Sequence, residues 1–194
     1  MKVNEYFDRV VVINLDRRPD RMEKLGAQLD ELGITYERFS AVDGKELGIK
    51  PEEAGKLSHL AVLQSIGEQE KVLILEDDAY FVDNFQEQFD TVMEKLPEDW
   101  DVFYLGVLLP EGIGVLTPVN KYWSRQVMSN GMQAYCVHPA KKDYFVEKVS
   151  EYEGYIDVCF RIWASETKAY VTQPNLVTQF PSFSDLRLKE VNDF

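Results

Sequence analysis

Two stretches of the chain are apolar without alternation, Val10-Val11-Val12-Ile13 and Val72-Leu73-Ile74-Leu75. Both are short and built of β-branched residues and leucine, the signature of strands buried on both faces, as in a parallel sheet. Between them the period changes. Met22, Leu25, Leu29 and Leu32 recur at three- and four-residue steps and predict a helix over residues 21–32. Pro19 suits its first turn and Gly33 its C-cap. Residues 36–41 read as a second strand, closed by a turn at Val42-Asp43-Gly44. Strand, helix and strand in that order make a βαβ unit, whose crossover is expected to be right-handed.

The rest continues the alternation. Residues 45–53 are polar and read as a loop; residues 54–69 read as a helix apolar around most of its circumference. Phe85, Phe89, Val92, Met93 and Leu96 outline an amphipathic helix that stops at Pro97. Strands are predicted at residues 100–106, ending on a glycine, at 131–137 and at 168–172, and helices at 139–150 and 158–164. The glycines and prolines of 108–129 predict a hairpin or irregular loop, and 174–194 reads as a tail. The expected architecture is a single α/β domain over residues 1–194, with a doubly wound, mostly parallel sheet and an irregular insertion.

Composition narrows the function. The 194 residues carry a net charge of −13, with lysines and arginines scattered among acids. A protein that grips nucleic acid through its phosphates needs a basic footprint, so bulk nucleic-acid binding is not expected. No apolar run approaches the roughly 18 residues that a membrane helix requires, and no secretory leader is visible at the start. Cys136 and Cys159 are too few for a disulfide framework or a zinc site, which favours a reducing, cytoplasmic setting.

The chemistry is concentrated where the second apolar strand ends, in Glu76-Asp77-Asp78. Adjacent charges are costly to bury without a partner. At the carboxyl end of a strand, in a crevice, a divalent cation supplies that partner. Glu76 and Asp78 are two residues apart, so on extended backbone they point the same way. Two oxygen ligands with positions left open suit Mg²⁺ or Mn²⁺ carrying substrate phosphates. The competing reading is a strand ending in a solvated acidic loop.

Several blocks taken in order carry a resemblance. They are Val12-Ile13-Asn14-Leu15-Asp16-Arg17-Arg18-Pro19-Asp20-Arg21, Ala41-Val42-Asp43-Gly44, Leu57-Ser58-His59-Leu60, Leu73-Ile74-Leu75-Glu76-Asp77-Asp78, Phe103-Tyr104-Leu105-Gly106 and Ser182-Phe183-Ser184-Asp185. Together they resemble glycosyltransferase family 25, which includes bacterial lipooligosaccharide galactosyltransferases and collagen hydroxylysine galactosyltransferases. The resemblance implies a GT-A fold, a UDP-hexose donor (galactose or glucose), a Mn²⁺ or Mg²⁺ ion, a glycan or other hydroxylated acceptor, and inversion at the transferred carbon. One departure is Gly55-Lys56, where many members carry Gly-Cys; the chain is also short for the family.

Candidate roles follow, each beside a blander one. Glu76 and Asp78 would face the metal, while Asp77 would contact the ribose or support the turn. Arg17 and Arg21 suit donor phosphates by their planar forks, or make surface ion pairs of little energy. Asn14 and Asp16 would read uracil or ribose, or cap the helix. Asp43 would hold a donor hydroxyl or make a turn. His59 would pack under the nucleotide or orient a carboxylate, or be an ordinary core histidine. Asp157 would be the general base for the acceptor hydroxyl, or a helix N-cap. Gln133, Tyr135 and Gln179 would line the acceptor side, with Tyr135 equally at home in a core. A catalytically inactive nucleotide-sugar-binding domain is the alternative function. A nucleotidyltransferase would want a glycine-rich basic loop near the start, and a phosphoacceptor domain a lone aspartate with a later lysine; the chain displays neither.

Overall fold

The computed structural model describes residues 1–109, 114–180, 182–184 and 189–191. In chain order its elements are α1 (Val3–Tyr6), β1 (Arg9–Asn14), α2 (Pro19–Glu31), β2 (Glu37–Ser40), α3 (Gly44–Leu47), α4 (Pro51–Ser65), β3 (Val72–Glu76), β4 (Ala79–Phe81), α5 (Phe85–Met93) and β5 (Val102–Tyr104). They continue with β6 (Val115–Pro118), β7 (Trp123–Met128), β8 (Ala134–Val137), α6 (Lys142–Glu151), α7 (Ile156–Ile162), β9 (Ala169–Thr172), β10 (Val177–Gln179), β11 (Ser182–Ser184) and β12 (Lys189–Val191). Eight strands form one sheet in the order β2-β1-β3-β8-β5-β9-β7-β6. Only β8 and β7 run against their neighbours, so the sheet is mostly parallel in direction.

The uninterrupted apolar strands are sandwiched, as their composition requires. Val10 and Val12 of β1 and Leu73 and Leu75 of β3 pack with Leu25 and Leu29 of α2 and with Phe85 and Phe89 of α5. Val11, Ile13, Val72 and Ile74 face the other way, onto Val62 and Leu63 of α4 and Phe145 of α6. Each such side chain taken from water contributes about 1.5–3 kcal/mol before chain entropy is counted. Helices therefore cover both faces, and the fold is the doubly wound α/β arrangement.

Where boundaries differ from the sequence reading, local chemistry gives the reason. α2 and α4 begin at Pro19 and Pro51 rather than at 21 and 54, because proline's missing N–H and fixed φ cost nothing in a first turn. The expected loop 45–53 contains α3, whose N-cap is Asp43, accepting from the Lys45 N–H at 2.9 Å. The helix expected at 158–164 starts earlier, at Ile156, with Tyr155 at its cap. Segment 108–129 supplies the β6–β7 hairpin at the sheet edge. The tail is not structureless. Its β10 pairs with β4 and β11 pairs with β12, short ladders decided by tertiary pairing rather than by propensity. Asp185, quoted above in the last block, lies outside the described residues.

One glycine bears on the site. A Cβ at Gly106 would lie 1.8 Å from the carbonyl oxygen of Val177. The backbone of β10 thus lies directly against the end of β5, and Leu176 and Val177 both donate to the Leu105 carbonyl, at 2.7 and 2.9 Å. This contact, with the β10–β4 ladder that sets Gln179 opposite Ala79, brings Gln179 to the acidic turn.

Candidate functional site

Alternation along β1 and β3 decides which side chains meet. Ile13 and Leu15 have the parity of Val11, and Glu76 has the parity of Val72 and Ile74, so all point to the α4 side. There they line a cavity closed by the 41–45 loop and by the first half of α4. Arg17, Arg21, Asp43, His59, Glu76, Asp77 and Asp78 all contribute to its wall. Asn14 and Asp16 do not. They share the parity of Val10 and Val12 and line a separate groove beside α2, together with Arg38. Asn14 is committed on every polar atom. Its Nδ2 donates to Asp77 Oδ2 at 2.7 Å and to the Arg18 carbonyl at 2.9 Å, and its Oδ1 accepts from Arg38 Nε at 2.8 Å. Asp16 pairs with Arg38 and accepts from the Ser40 hydroxyl at 2.8 Å. Arg38 was not anticipated. Its signal is a charged residue inside β2 that stands opposite Val12, two places before the polar end of β1.

The acidic triplet divides by face. Asp77 turns toward α2, where Arg21 Nη1 lies 2.6 Å from its Oδ1, both side chains being about a tenth exposed. Glu76 and Asp78 converge on the other side: Gln179 Nε2 lies 3.4 Å from Glu76 Oε2 and 3.3 Å from Asp78 Oδ1. Arg21 Nη1 is also 3.6 Å from Asp78 Oδ2. Burial pushes both aspartates above the ordinary carboxylate range. For Asp77 the pull of Arg21 and the Asn14 hydrogen bond offset part of that rise. For Asp78 desolvation is reinforced by the Glu76 charge, and the group is pushed up to about 7.

The Ser-His pair in α4 works on both walls of the cavity. Ser58 Oγ accepts from the Val42 N–H at 2.8 Å and donates to the Ala54 carbonyl at 2.9 Å, pinning the 41–44 loop to the helix. His59 reaches Glu76 with Nε2, 3.4 Å from Oε1. Arg17 Nε is 2.6 Å from Asp43 Oδ2, so the Asp43 carboxylate both caps α3 and anchors an arginine at the rim.

Asp157 stands apart from this cavity. It lies in the first turn of α7 but is not the cap; its Oδ1 accepts from Val158 N–H at 2.8 Å and its Oδ2 from Gly131 N–H at 3.3 Å. Gly131 adopts φ +89, and a Cβ there would come within 2.5 Å of Gln133 Oε1. Gln133 is fully buried, and among the described residues neither its Oε1 nor its Nε2 has a partner, while its carbonyl accepts from the Glu76 N–H at 3.1 Å. The buried Tyr104 hydroxyl also has no partner among the described residues. An unpaired buried amide costs about 1–3 kcal/mol. Gln133→Met is therefore expected to hold or raise stability, by about 1 kcal/mol and about 2–4 °C in thermal midpoint. A clear loss of stability in thermal unfolding would show that this amide does have partners in solution.

Residues 49–111 match the family model described as Glycosyltransferase family 25 (LPS biosynthesis protein). A stretch of 129 residues, 52% of this chain, is 33% identical to the human "Inactive glycosyltransferase 25 family member 3" and 34% identical to the Xenopus laevis "Procollagen galactosyltransferase 1-A". A 125-residue stretch is 33% identical to an Aedes aegypti "Glycosyltransferase 25 family member". The matches take in 21–22% of each of these relatives, so the chain covers about a fifth of their length. Among solved structures, 4-diphosphocytidyl-2C-methyl-D-erythritol synthase from Anaerococcus prevotii overlays on 89% of this chain and 73% of its own, at 11% identity and a TM-score of 0.47.

Proposed function

The chain is related in sequence to glycosyltransferase family 25, and from that kinship and the site we propose a divalent-metal-dependent glycosyltransferase that moves a hexose from a UDP-sugar to a hydroxyl acceptor. The observation that carries the proposal is the convergence of Glu76 and Asp78 on one point at the tip of β3, inside a cavity edged by Arg17 and Arg21. Hard oxygen donors suit Mg²⁺ or Mn²⁺. Among the described residues no group of three or more His, Cys, Asp or Glu side chains is gathered to hold a metal. The protein would thus supply these two carboxylates, with water and donor phosphates completing the shell, the usual habit of such cations at phosphate sites.

When bound, the cation would neutralise charge on the departing diphosphate. The chain's own residues have separate tasks. Arg17 would meet donor phosphate at the rim, held by Asp43. Arg21 would balance Asp77, keeping the second acid from repelling the donor. The 41–44 loop, pinned by Ser58, would bound the nucleoside. For Asp157 to take the acceptor hydroxyl proton, the acceptor would have to reach beyond this cavity to the first turn of α7, while Gln179 would offer an amide contact to a sugar hydroxyl at the acidic turn. Inversion at the transferred carbon, the outcome proposed here, needs such a base. Galactose and glucose remain the donor sugars to screen, and a glycan or other hydroxylated molecule the acceptor.

The direct test is release of UDP from UDP-galactose and UDP-glucose, with Mn²⁺, with Mg²⁺ and with chelator. Metal-dependent release sustains the proposal. UDP binding without release under any donor or acceptor would support the second reading, an inactive nucleotide-sugar-binding domain, which the name of the human relative favours.

The raised Asp78 pKa adds a pH prediction. An unfolded aspartate ionises near 3.8, the folded Asp78 near 7. Between those values the folded chain holds a proton that the unfolded chain has released, so this group stabilises at low pH and its contribution is lost as pH rises through about 7. Cation binding needs the ionised form and must expel that proton. Mn²⁺ affinity is expected to fall as pH drops below about 7. Calorimetry near pH 6, in buffers of different ionisation enthalpy, should register about one proton released per ion.

A further inference from the structure

We propose that Tyr135 is a positioning residue: its buried hydroxyl fixes the tautomer of His59 so that the ring presents Nε2–H to Glu76, and this sets the direction in which the Glu76 carboxylate faces the cavity. The role given to Glu76 rests on the proposed function; the Tyr135–His59 hydrogen bond and the approach of His59 Nε2 to Glu76 do not.

Tyr135 stands on β8, directly across the ladder from Ile74 of β3. It is fully buried, with its ring 6.3 Å from that of Tyr104 and 5.7 Å from that of Phe160. By pattern it passes for a core aromatic. Its hydroxyl, however, lies 3.0 Å from His59 Nδ1, and it has no other hydrogen-bond partner among the described residues. His59, 4% exposed on α4, has its other nitrogen 3.4 Å from Glu76 Oε1. The second oxygen of the same carboxylate, Oε2, lies 3.4 Å from Gln179 Nε2. Glu76 is thus gripped by a different group on each oxygen, and its backbone N–H is tied to the Gln133 carbonyl.

Hydrogen counting sets the direction of the chain. An ionised carboxylate only accepts, so the nitrogen facing Glu76 must carry the hydrogen. In a neutral imidazole the other nitrogen is then a lone pair and needs a donor. Tyr135 supplies it. Burial drives the tyrosine pKa well above its ordinary value, so the hydroxyl keeps its proton to give. Remove the hydroxyl and Nδ1 is left without a donor in an apolar setting. The hydrogen can then move to Nδ1, which turns a lone pair toward Glu76 and replaces attraction with repulsion. Outer partners of this kind commonly orient the groups that touch a metal.

The test uses the whole chain, labelled with ¹⁵N-histidine and free of metal, at about pH 8.5, where a model imidazole is neutral. There are two histidines, His59 and His138, so His138→Gln assigns the spectrum. Wild type is expected to show His59 as the Nε2–H tautomer, and Tyr135→Phe to show a mixture or the Nδ1–H form. Mn²⁺ affinity, read by calorimetry without donor, should fall about 10–100-fold in Tyr135→Phe, the usual cost of losing such a partner. A wild-type His59 already in the Nδ1–H form overturns the inference even if the variant does not fold. So does a folded Tyr135→Phe with unchanged tautomer or unchanged Mn²⁺ affinity beside a wild type that binds. If wild type binds neither Mn²⁺ nor UDP, the glycosyltransferase reading fails and the assignment of Glu76 to a metal falls with it, while the tautomer still decides the Tyr135–His59 link.

Discussion

Asp78→Asn is expected to lower metal-dependent UDP release by about 10²–10³-fold, the loss typical when one preorganised contact to a developing charge is removed. It is expected to do so with the fold intact. The amide is isosteric with the acid, and the charge it removes is one the protein carries at a cost, since desolvation and Glu76 hold the Asp78 pKa up to about 7. Thermal stability at pH 8 should therefore hold or rise while turnover falls. That opposite movement separates a functional acid from a structural one, because a structural acid would lose stability first. Mn²⁺ affinity should weaken in parallel, with UDP affinity in chelator unchanged. Full metal-dependent turnover in Asp78→Asn would remove this residue from the metal site.

How much of this was open to reading depends on whether one side chain or two elements are involved. β1 and β3 were legible because Val10–Ile13 and Val72–Leu75 have no polar interruption, and only a doubly covered strand wants that. The acidic tip was legible for the same reason: three charges directly after such a strand have few comfortable positions. The sides taken by the neighbours were harder, though the clue was present. Period two sends Ile13, Leu15 and Glu76 one way and Asn14 and Asp16 the other, and the structure divides them so. Reading Asn14 and Asp16 only by residue type, as polar groups near a nucleotide, missed that parity. Tertiary partners were beyond the sequence. Nothing in Gln179 announces that β10 will lie against Gly106 and deliver an amide to two carboxylates more than a hundred positions away. Gln28 is similar: its amide mimics a strand, accepting from the Phe81 N–H and donating to its carbonyl, both at 2.9 Å, and so completes the edge of β4.

Arg21→Met is expected to destabilise the protein by about 3–5 kcal/mol at pH 8, the range for removing one member of a buried ion pair. For a chain of this size that is a fall of roughly 6–20 °C in the thermal midpoint. The methionine keeps most of the aliphatic stem, so the loss is of charge rather than volume. Arg21 Nη1 lies 2.6 Å from Asp77 Oδ1 and 3.6 Å from Asp78 Oδ2. Without it, Asp77, Asp78 and Glu76 lose the guanidinium that two of them approach. The pH dependence identifies the cause. Desolvation already raises the Asp77 pKa, with Arg21 pulling it down, so removing Arg21 lets it rise further. A raised carboxylate pKa costs stability above that pKa and nothing once the group is protonated in both states. The variant should therefore lie far below wild type at pH 8 and move closer to it near pH 5. Adding Asp77→Asn should recover a good part of the loss, because the orphaned charge goes with it, and the double-mutant cycle measures the coupling. A loss below about 1 kcal/mol, or one that does not change with pH, would mean that solvent or Asn14 suffices to carry the Asp77 charge. Arg21 would then be free to be read as a donor-phosphate ligand alone.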